Sequence, residues 1–243
     1  MKTIIKLSGI TKRFGVKTAV NKLDLEIYEG ELFGLLGVNG AGKTTTIRML
    51  TGLSAVTEGE AEIMGYNVKT DLQEIKKITN ISTQETAVAG NLTVKENLEF
   101  IGNIYGLSKQ EIENNIESVF ESLELGEVKN QKAKTLSGGW QRRLSIAMAL
   151  ITDPKIIFLD EPTLGLDVLA RRELWNIITG LKGKVTVILT THYLDEVEAL
   201  CDRIAIMAKG QVKALGTAGE LKKLAGKEKL EDAFVEIVGG EIE

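Results

Sequence analysis

The sequence predicts an α/β fold with an antiparallel β portion and an inserted helical block, and three observations predict it. The octapeptide Gly37-Val38-Asn39-Gly40-Ala41-Gly42-Lys43-Thr44 fits the Gly-x-x-x-x-Gly-Lys-Ser/Thr pattern of a phosphate-binding loop. The apolar run Ile156-Ile157-Phe158-Leu159 reads as a strand covered on both faces. Between the two, residues 85–150 change to helical periodicity, opened by capping boxes. The chain of 243 residues is long enough to bury a full core as one α/β domain.

Taken in order, the first thirty residues read as short strands, with turns at Phe14-Gly15 and Glu29-Gly30. Leu32, Phe33, Leu35 and Leu36 form a strand running into the loop. Thr45 to Leu53 follows as a helix whose apolar positions are Ile47, Leu50 and Leu53. Ala61 to Val68 reads as further short strands around Gly65. Thr93-x-x-Glu96 and Ser108-x-x-Glu111 are capping boxes, and a third helix follows Ser137. Pro154 and Pro162, the only prolines, bracket the buried strand, where the missing donor breaks no central ladder. Val185 to Thr191 is β-rich, and Ile204–Met207 and Val212–Leu215 flank a Lys209-Gly210 turn. Thr217-x-x-Glu220 caps a late helix, and Leu230, Phe234 and Ile237 space as a last one. The expected division is a β portion with the phosphate-loop core over 1–84, a helical part over 85–150, the rest of the core over 151–220 and a helical tail over 221–243.

Each candidate site residue has a chemical reason. Glycines let the loop turn its amides inward on phosphate oxygens, and a helix beginning there adds its dipole. Asn39, Gly40, Ala41, Gly42, Lys43, Thr44 and Thr45 are therefore the expected nucleotide contacts. Lys43 supplies the compact charge for the β- and γ-phosphates, and the Thr44 hydroxyl can ligate Mg²⁺. Asp160 and Glu161 stand at the carboxyl end of the buried strand, where α/β folds bind ligands. Asp160 suits a partner of Mg²⁺, and Glu161 can orient and deprotonate an attacking water. His192, the only histidine, follows Thr190-Thr191 at another strand end and is expected to donate to the γ-phosphate. Ser137-Gly138-Gly139 at a helix start is either a nest of amides for an anion or an ordinary cap with a flexible lead-in.

The totals exclude other classes. Net charge is −4, pI is near 5.4, and no basic stripe is present, so nucleic acid is not an expected partner. The lone Cys201 permits no intramolecular disulfide, fits a reducing compartment, and reads as a small residue in a helical core. No apolar run approaches ~18 residues, and the start is too strand-like for a signal peptide. The expectation is a cytoplasmic chain whose membrane role comes through a partner. Asn21-Lys22-Leu23-Asp24 matches a guanine-reading tetrapeptide but precedes the loop, and its alternation is that of a plain strand.

The order of phosphate loop, Gln84, Leu-Ser-Gly-Gly, Ile-Ile-Phe-Leu-Asp-Glu-Pro, Gly165-Leu166-Asp167 and Thr-His192 resembles the nucleotide-binding domain of ATP-binding cassette (ABC) transporters. The likeness covers nearly the whole chain and implies a P-loop NTPase core binding ATP and Mg²⁺. It implies that Gln84 senses metal and attacking water, that Phe14 stacks on adenine where the family usually has Tyr, and that Asp167 lies in the segment crossing to an opposing subunit. It also implies that Ser137, Gly138 and Gly139 read the γ-phosphate held by a second subunit, so that two chains sandwich two ATP molecules. Where the family usually has Gln after the nest this chain has Trp140, with Gln141 next. The tail, Tyr193–Glu198 with Cys201-Asp202-Arg203-Ile204 and Leu230–Phe234, is similar to ATPases of drug- and polysaccharide-type exporters.

These implications add up to an ATPase that dimerises (with itself or with a related ATPase) on binding ATP. It would drive a separate transmembrane permease, in the export direction, from the cytoplasmic face of the membrane. A cassette ATPase with no membrane partner, acting on DNA, ribosomes or iron–sulfur assembly, is the competing expectation. A monomeric P-loop kinase or GTPase would leave the Ser-Gly-Gly nest, Gln84 and His192 without work.

Overall fold

The computed structural model describes residues 2–239. Two sheets and a set of helices make up the chain. A four-stranded antiparallel sheet has the order β2-β1-β4-β5. Its strands are β1 (Thr3–Phe14), β2 (Lys17–Tyr28), β4 (Glu58–Ile63) and β5 (Tyr66–Asn67). A six-stranded sheet has the order β10-β9-β3-β8-β7-β6. It comprises β3 (Leu32–Leu36), β6 (Thr79–Ser82), β7 (Ile156–Asp160), β8 (Thr186–Thr191), β9 (Arg203–Ala208) and β10 (Gln211–Gly216). All its pairings are parallel except β9 with β10.

Period-2 geometry explains why the central strands read as unbroken apolar runs. Leu32, Leu36, Ile157, Leu159, Val187, Leu189, Ile204 and Ile206 face a core shared with the helices. Phe33, Leu35, Ile156, Phe158, Ile188, Ala205 and Met207 face the opposite core, shared with the antiparallel sheet. Each strand is thus buried on both faces.

The helices are α1 (Lys43–Leu50), α2 (Leu72–Ile78), α3 (Val94–Ile104), α4 (Lys109–Ser122), α5 (Gly138–Leu150), α6 (Val168–Gly180), α7 (Leu194–Leu200), α8 (Ala218–Leu224) and α9 (Leu230–Gly239). Capping boxes open α3, α4 and α8 on Thr93, Ser108 and Thr217. Each holds its N3 glutamate below the usual carboxylate range through hydrogen bonds at the cap.

Several expectations need correction. Helix α1 begins at Lys43 rather than Thr45 and ends at Leu50, so Leu53 lies beyond it and is exposed. The first two strands are twelve residues each, their register shifted several times. Cys201 sits one residue past α7, its thiol held well above its ordinary pKa mainly by burial. The sequence reading contains no α2, β6 or α6. Helix α2 buries Ile75 alone, and β6 is four residues long, so neither offers a periodic pattern. Among the described residues no helix is long and apolar enough to cross a membrane.

Candidate active site

Sheet register assembles the site. Leu36 pairs with Thr191, and Asp160 pairs with Thr190, so β3, β7 and β8 end at one level. Gly37, Glu161 and His192 therefore leave the sheet side by side, at the carboxyl edge where α/β sheets bind ligands. The loop between β3 and α1 closes over that edge, and two of its glycines are sterically required. A Cβ on Gly37 would lie 2.4 Å from the Met207 carbonyl oxygen, and one on Gly42 would meet the Ala19 carbonyl oxygen at 2.8 Å. Gly42 also has φ 106°, a region open to glycine.

The loop borders a cleft of about 610 Å³. Asn39, Gly40, Ala41, Gly42, Lys43, Thr44 and Thr45 all line it, together with Phe14, Gln84, Glu161 and His192. Phe14 is half-exposed at the end of β1, with the Lys12 ammonium 4.9 Å from its ring centre. Lys17, Thr18, Ala19, Leu164, Lys209 and Gly210 also line the cleft. None of these six is an expected site residue from the sequence. They arrive from the start of β2, the β7–α6 segment and the β9–β10 turn, and the sequence marks the turns at Phe14-Gly15 and Lys209-Gly210 without showing that they meet at one cleft. The Gly210 amide donates to the Ala41 carbonyl at 3.0 Å, which binds that turn to the loop.

The charged groups are buried and mutually paired. Lys43 Nζ donates to the Gly37 carbonyl at 2.7 Å and lies 3.4 Å from Glu161 Oε1. The other Glu161 oxygen, Oε2, is 2.9 Å from His192 Nδ1. Glu161 has φ 49°, a costly backbone for a non-glycine residue. That backbone is held by its own amide, 3.1 Å from both the carbonyl oxygen and Oγ1 of Thr190. Asp160 does not line the cleft directly. Its Oδ1 accepts from Thr44 Oγ1 at 3.0 Å and from Thr190 Oγ1 at 2.5 Å. Thr44 and Asp160 thus present neighbouring oxygens, the donor type a hard divalent cation takes.

Behind these strand ends lies a further carboxyl, Glu196 of α7, fully buried. Burial pushes it above the usual carboxylate range, against hydrogen bonding from Thr191, Thr163 and the Trp175 indole. Trp175 Nε1 donates to Oε1 at 3.2 Å. Oε2 and Thr163 Oγ1 are both buried without well-formed hydrogen bonds. A neutral carboxyl suits such surroundings.

Ser137, Gly138, Gly139 and Asp167 are not among the residues lining the cleft. Ser137 caps α5, its Oγ accepting from the Trp140 amide at 3.5 Å. Asp167 caps α6, Oδ1 accepting from the Leu169 and Ala170 amides at 2.9 Å each. The two helix starts touch: a Cβ on Gly139 would lie 3.2 Å from that of Ala170, and one on Gly138 3.9 Å from Leu166 Cδ2. Ser137, Gly138 and Asp167 are exposed. Trp140 turns away to stack on Arg143 at 4.5 Å, and Gln141 Nε2 donates to the Ala133 and Leu136 carbonyls, binding the lead-in segment in place. A further crevice of about 300 Å³ lies beside exposed Leu53, Ile104 and Tyr105, against Asn80 and Ile81 of β6.

A family model described as "ABC transporter" matches residues 20–164, a span holding the phosphate loop, Gln84, the Ser-Gly-Gly nest, Asp160 and Glu161. The human phospholipid-transporting ATPase ABCA3 is 42% identical over 226 residues, 91% of this chain and 13% of that protein. The mouse glucosylceramide transporter ABCA12 is 41% identical over 224 residues, covering 91% and 9%. The chain therefore spans a small fraction of these relatives. Among solved structures, the ATP-binding subunit of an ABC transporter superposes with TM-score 0.84 at 27% identity, covering 96% of this chain and 99% of that one. An ATP-binding cassette solved as a dimer in a post-hydrolysis state with ADP and Pi has TM-score 0.76 at 28% identity, covering 88% and 98%.

Proposed function

The chain belongs to the ABC transporter family as an ATP-binding domain with the P-loop NTPase fold, and on that premise we propose how it works. Two copies close head to tail around two ATP molecules, hydrolyse them, separate, and so drive a membrane permease. The observation that carries this reading is the separation of the nest from the cleft. Ser137-Gly138-Gly139 and Asp167 share one exposed surface that does not line their own chain's cleft. The first-turn amides of a helix lack intrahelical partners and suit an anion brought by another chain.

Within the cleft, the loop amides and Lys43 hold the phosphates, and Phe14 offers its ring to adenine. Lys43 exchanges its contact with Glu161 for phosphate oxygen, which frees Glu161 to take a proton from water. His192, oriented through Nδ1 by Glu161, offers Nε2 as donor to the γ-phosphate. Thr44 and Asp160, with Gln84 of the cleft lining, would hold Mg²⁺, which would supply neutralisation of phosphate charge. ATP adds γ-phosphate contacts across the dimer that ADP lacks, so only ATP favours closure. Moving the equilibrium from mostly open to mostly closed takes about 5.5 kcal/mol of such preference. Two sites with several charge-assisted bonds each are of that order.

The crevice beside Leu53, Ile104 and Tyr105 supports docking of a permease segment there. Strand β6, which lines it, runs on to Gln84, so a docked segment bears on the nucleotide site. Relatives named as lipid transporters support a membrane transporter of amphipathic cargo over the DNA, ribosome or iron–sulfur alternative. Light scattering tests the central claim: mass should double with magnesium–ATP under conditions of slow turnover and stay monomeric with ADP. A chain that remains monomeric with saturating ATP would refute it.

A further inference from the structure

Arg142 is charged, only 4% exposed, and among the described residues pairs with no carboxylate side chain by hydrogen bond. Its guanidinium is spent on backbone. Nε donates to the Pro162 carbonyl at 2.7 Å. One terminal nitrogen donates to the Asp160 and Glu161 carbonyls at 2.7 and 2.9 Å. The other donates to those of Thr83 and Gln84 at 2.5 and 3.3 Å. Five carbonyls from two separate loops thus converge on one side chain of α5, three residues beyond Gly139. Its neighbour Arg143 points to the surface acids Glu124 and Glu173, so the clamp is peculiar to position 142.

We propose that Arg142 is a positioning residue that binds the Ser-Gly-Gly end of α5 to Glu161 and Gln84. A shift at the surface that meets the partner's nucleotide is thereby transmitted to the groups that act on the chain's own nucleotide. This rests on the reading of the cleft given above and extends it to a residue that touches neither ATP nor metal. Glu161 needs such support because its φ of 49° is unfavourable, and Arg142 holds the carbonyl on the far side of that residue from the Thr190 contacts to its amide. A second bond runs in parallel, Ser145 Oγ of α5 lying 2.9 Å from Ser82 Oγ of β6. Burial lowers the Arg142 pKa to about 10, against the attraction of Asp160, Glu196 and Glu161, so the group stays charged at neutral pH. Lysine cannot replace it, since one ammonium cannot span five acceptors in two loops.

The test compares parent and Arg142→Ala full chains in ATP turnover, with binding of a fluorescent ATP analogue measured separately. Loss of the clamp should lower kcat by roughly 10²-fold, the scale of a 1 Å misplacement. Nucleotide affinity should stay within about threefold, well under the tenfold that 1.4 kcal/mol represents. Millimolar guanidinium should restore part of kcat, and urea at the same concentration should not. A variant with parental kcat, one whose affinity falls in step with kcat, or equal rescue by urea would overturn the proposal. Should Arg142→Ala fail to fold, Arg142→Lys decides: a roughly tenfold loss of kcat at unchanged affinity supports the clamp, and parental turnover overturns it. Failure of the parent chain to bind the analogue would instead refute the reading of the cleft.

Discussion

The phosphate-loop cleft and the Ser-Gly-Gly surface differ in how far each satisfies itself. At the cleft, Lys43, Glu161 and His192 form one chain of polar contacts and Thr44 with Asp160 another, Thr190 joining the two. At the nest, Ser137 caps its own helix, Gly138 is exposed and Gly139 is half-buried against Ala170. A ligand entering the first must exchange existing bonds. One reaching the second meets the Gly138 and Gly139 amides, which have no intrahelical partners. The cleft is therefore built to discriminate by charge and geometry, whereas the nest responds to whatever a partner presents. Coupling between the two runs through the interior by way of Arg142, since they do not share a cavity.

Breaking the cleft should have the largest effect. Glu161→Gln keeps the contact to Lys43 but removes the base, so turnover should fall by roughly 10²–10⁴-fold. ATP binding should persist and the ATP-bound dimer should accumulate, as read by phosphate release and light scattering. Turnover at the parental rate would overturn the assignment. Breaking the nest should separate the halves of the comparison. Ser137→Arg fills the approach to the glycines, so ATP-induced dimerisation should be lost while single-chain affinity changes by less than about threefold. A normal dimer in that variant would mean the nest is not used across chains.

Smaller effects sharpen the picture. Phe14→Ala should weaken ATP by about 1 kcal/mol, close to fivefold, and Phe14→Tyr should bind as the parent does, by isothermal titration. Equal affinity for Phe14→Ala would remove the adenine contact. Glu196→Gln tests the carboxyl behind the site through stability. Burial holds the Glu196 pKa in the folded chain above the value near 4.5 of the unfolded one. The native state therefore binds more protons above that pH, and stability falls as pH rises towards the folded pKa. Glu196→Gln should lack that slope, melting above the parent by a margin that grows from pH 4.5 upward and then levels off. A margin independent of pH would show that the carboxyl is ionised in the folded chain.

Much of the architecture was legible in residue pattern. Capping boxes at Thr93, Ser108 and Thr217 located three helix starts to the residue, because a cap is a local bond between positions three apart. The continuous apolar run marked β7, since a strand buried on both sides needs no polar face, and an apolar and a β-rich run marked β3 and β8. Helix α2 and strand β6 were illegible because each is short and owes its place to neighbours. Phe14 and the Lys209-Gly210 turn stood as separate local features, and their meeting across one cleft depends on contacts between β2, β10 and the loop.

Residue identity alone determined the chemistry: a glycine-rich loop with Lys43 and Thr44, paired acids after a buried strand, and one histidine after another. Those are fixed by covalent structure and spacing along the chain, the range over which a turn or a cap is decided. Tertiary structure decided which groups face each other. Strand register set Glu161 between Lys43 and His192, helix packing placed the nest on the surface outside the cleft, and Arg142 gathered five carbonyls from two distant loops. Such choices depend on contacts between residues far apart in sequence, where many pairings satisfy the same local pattern and only the packed core selects one.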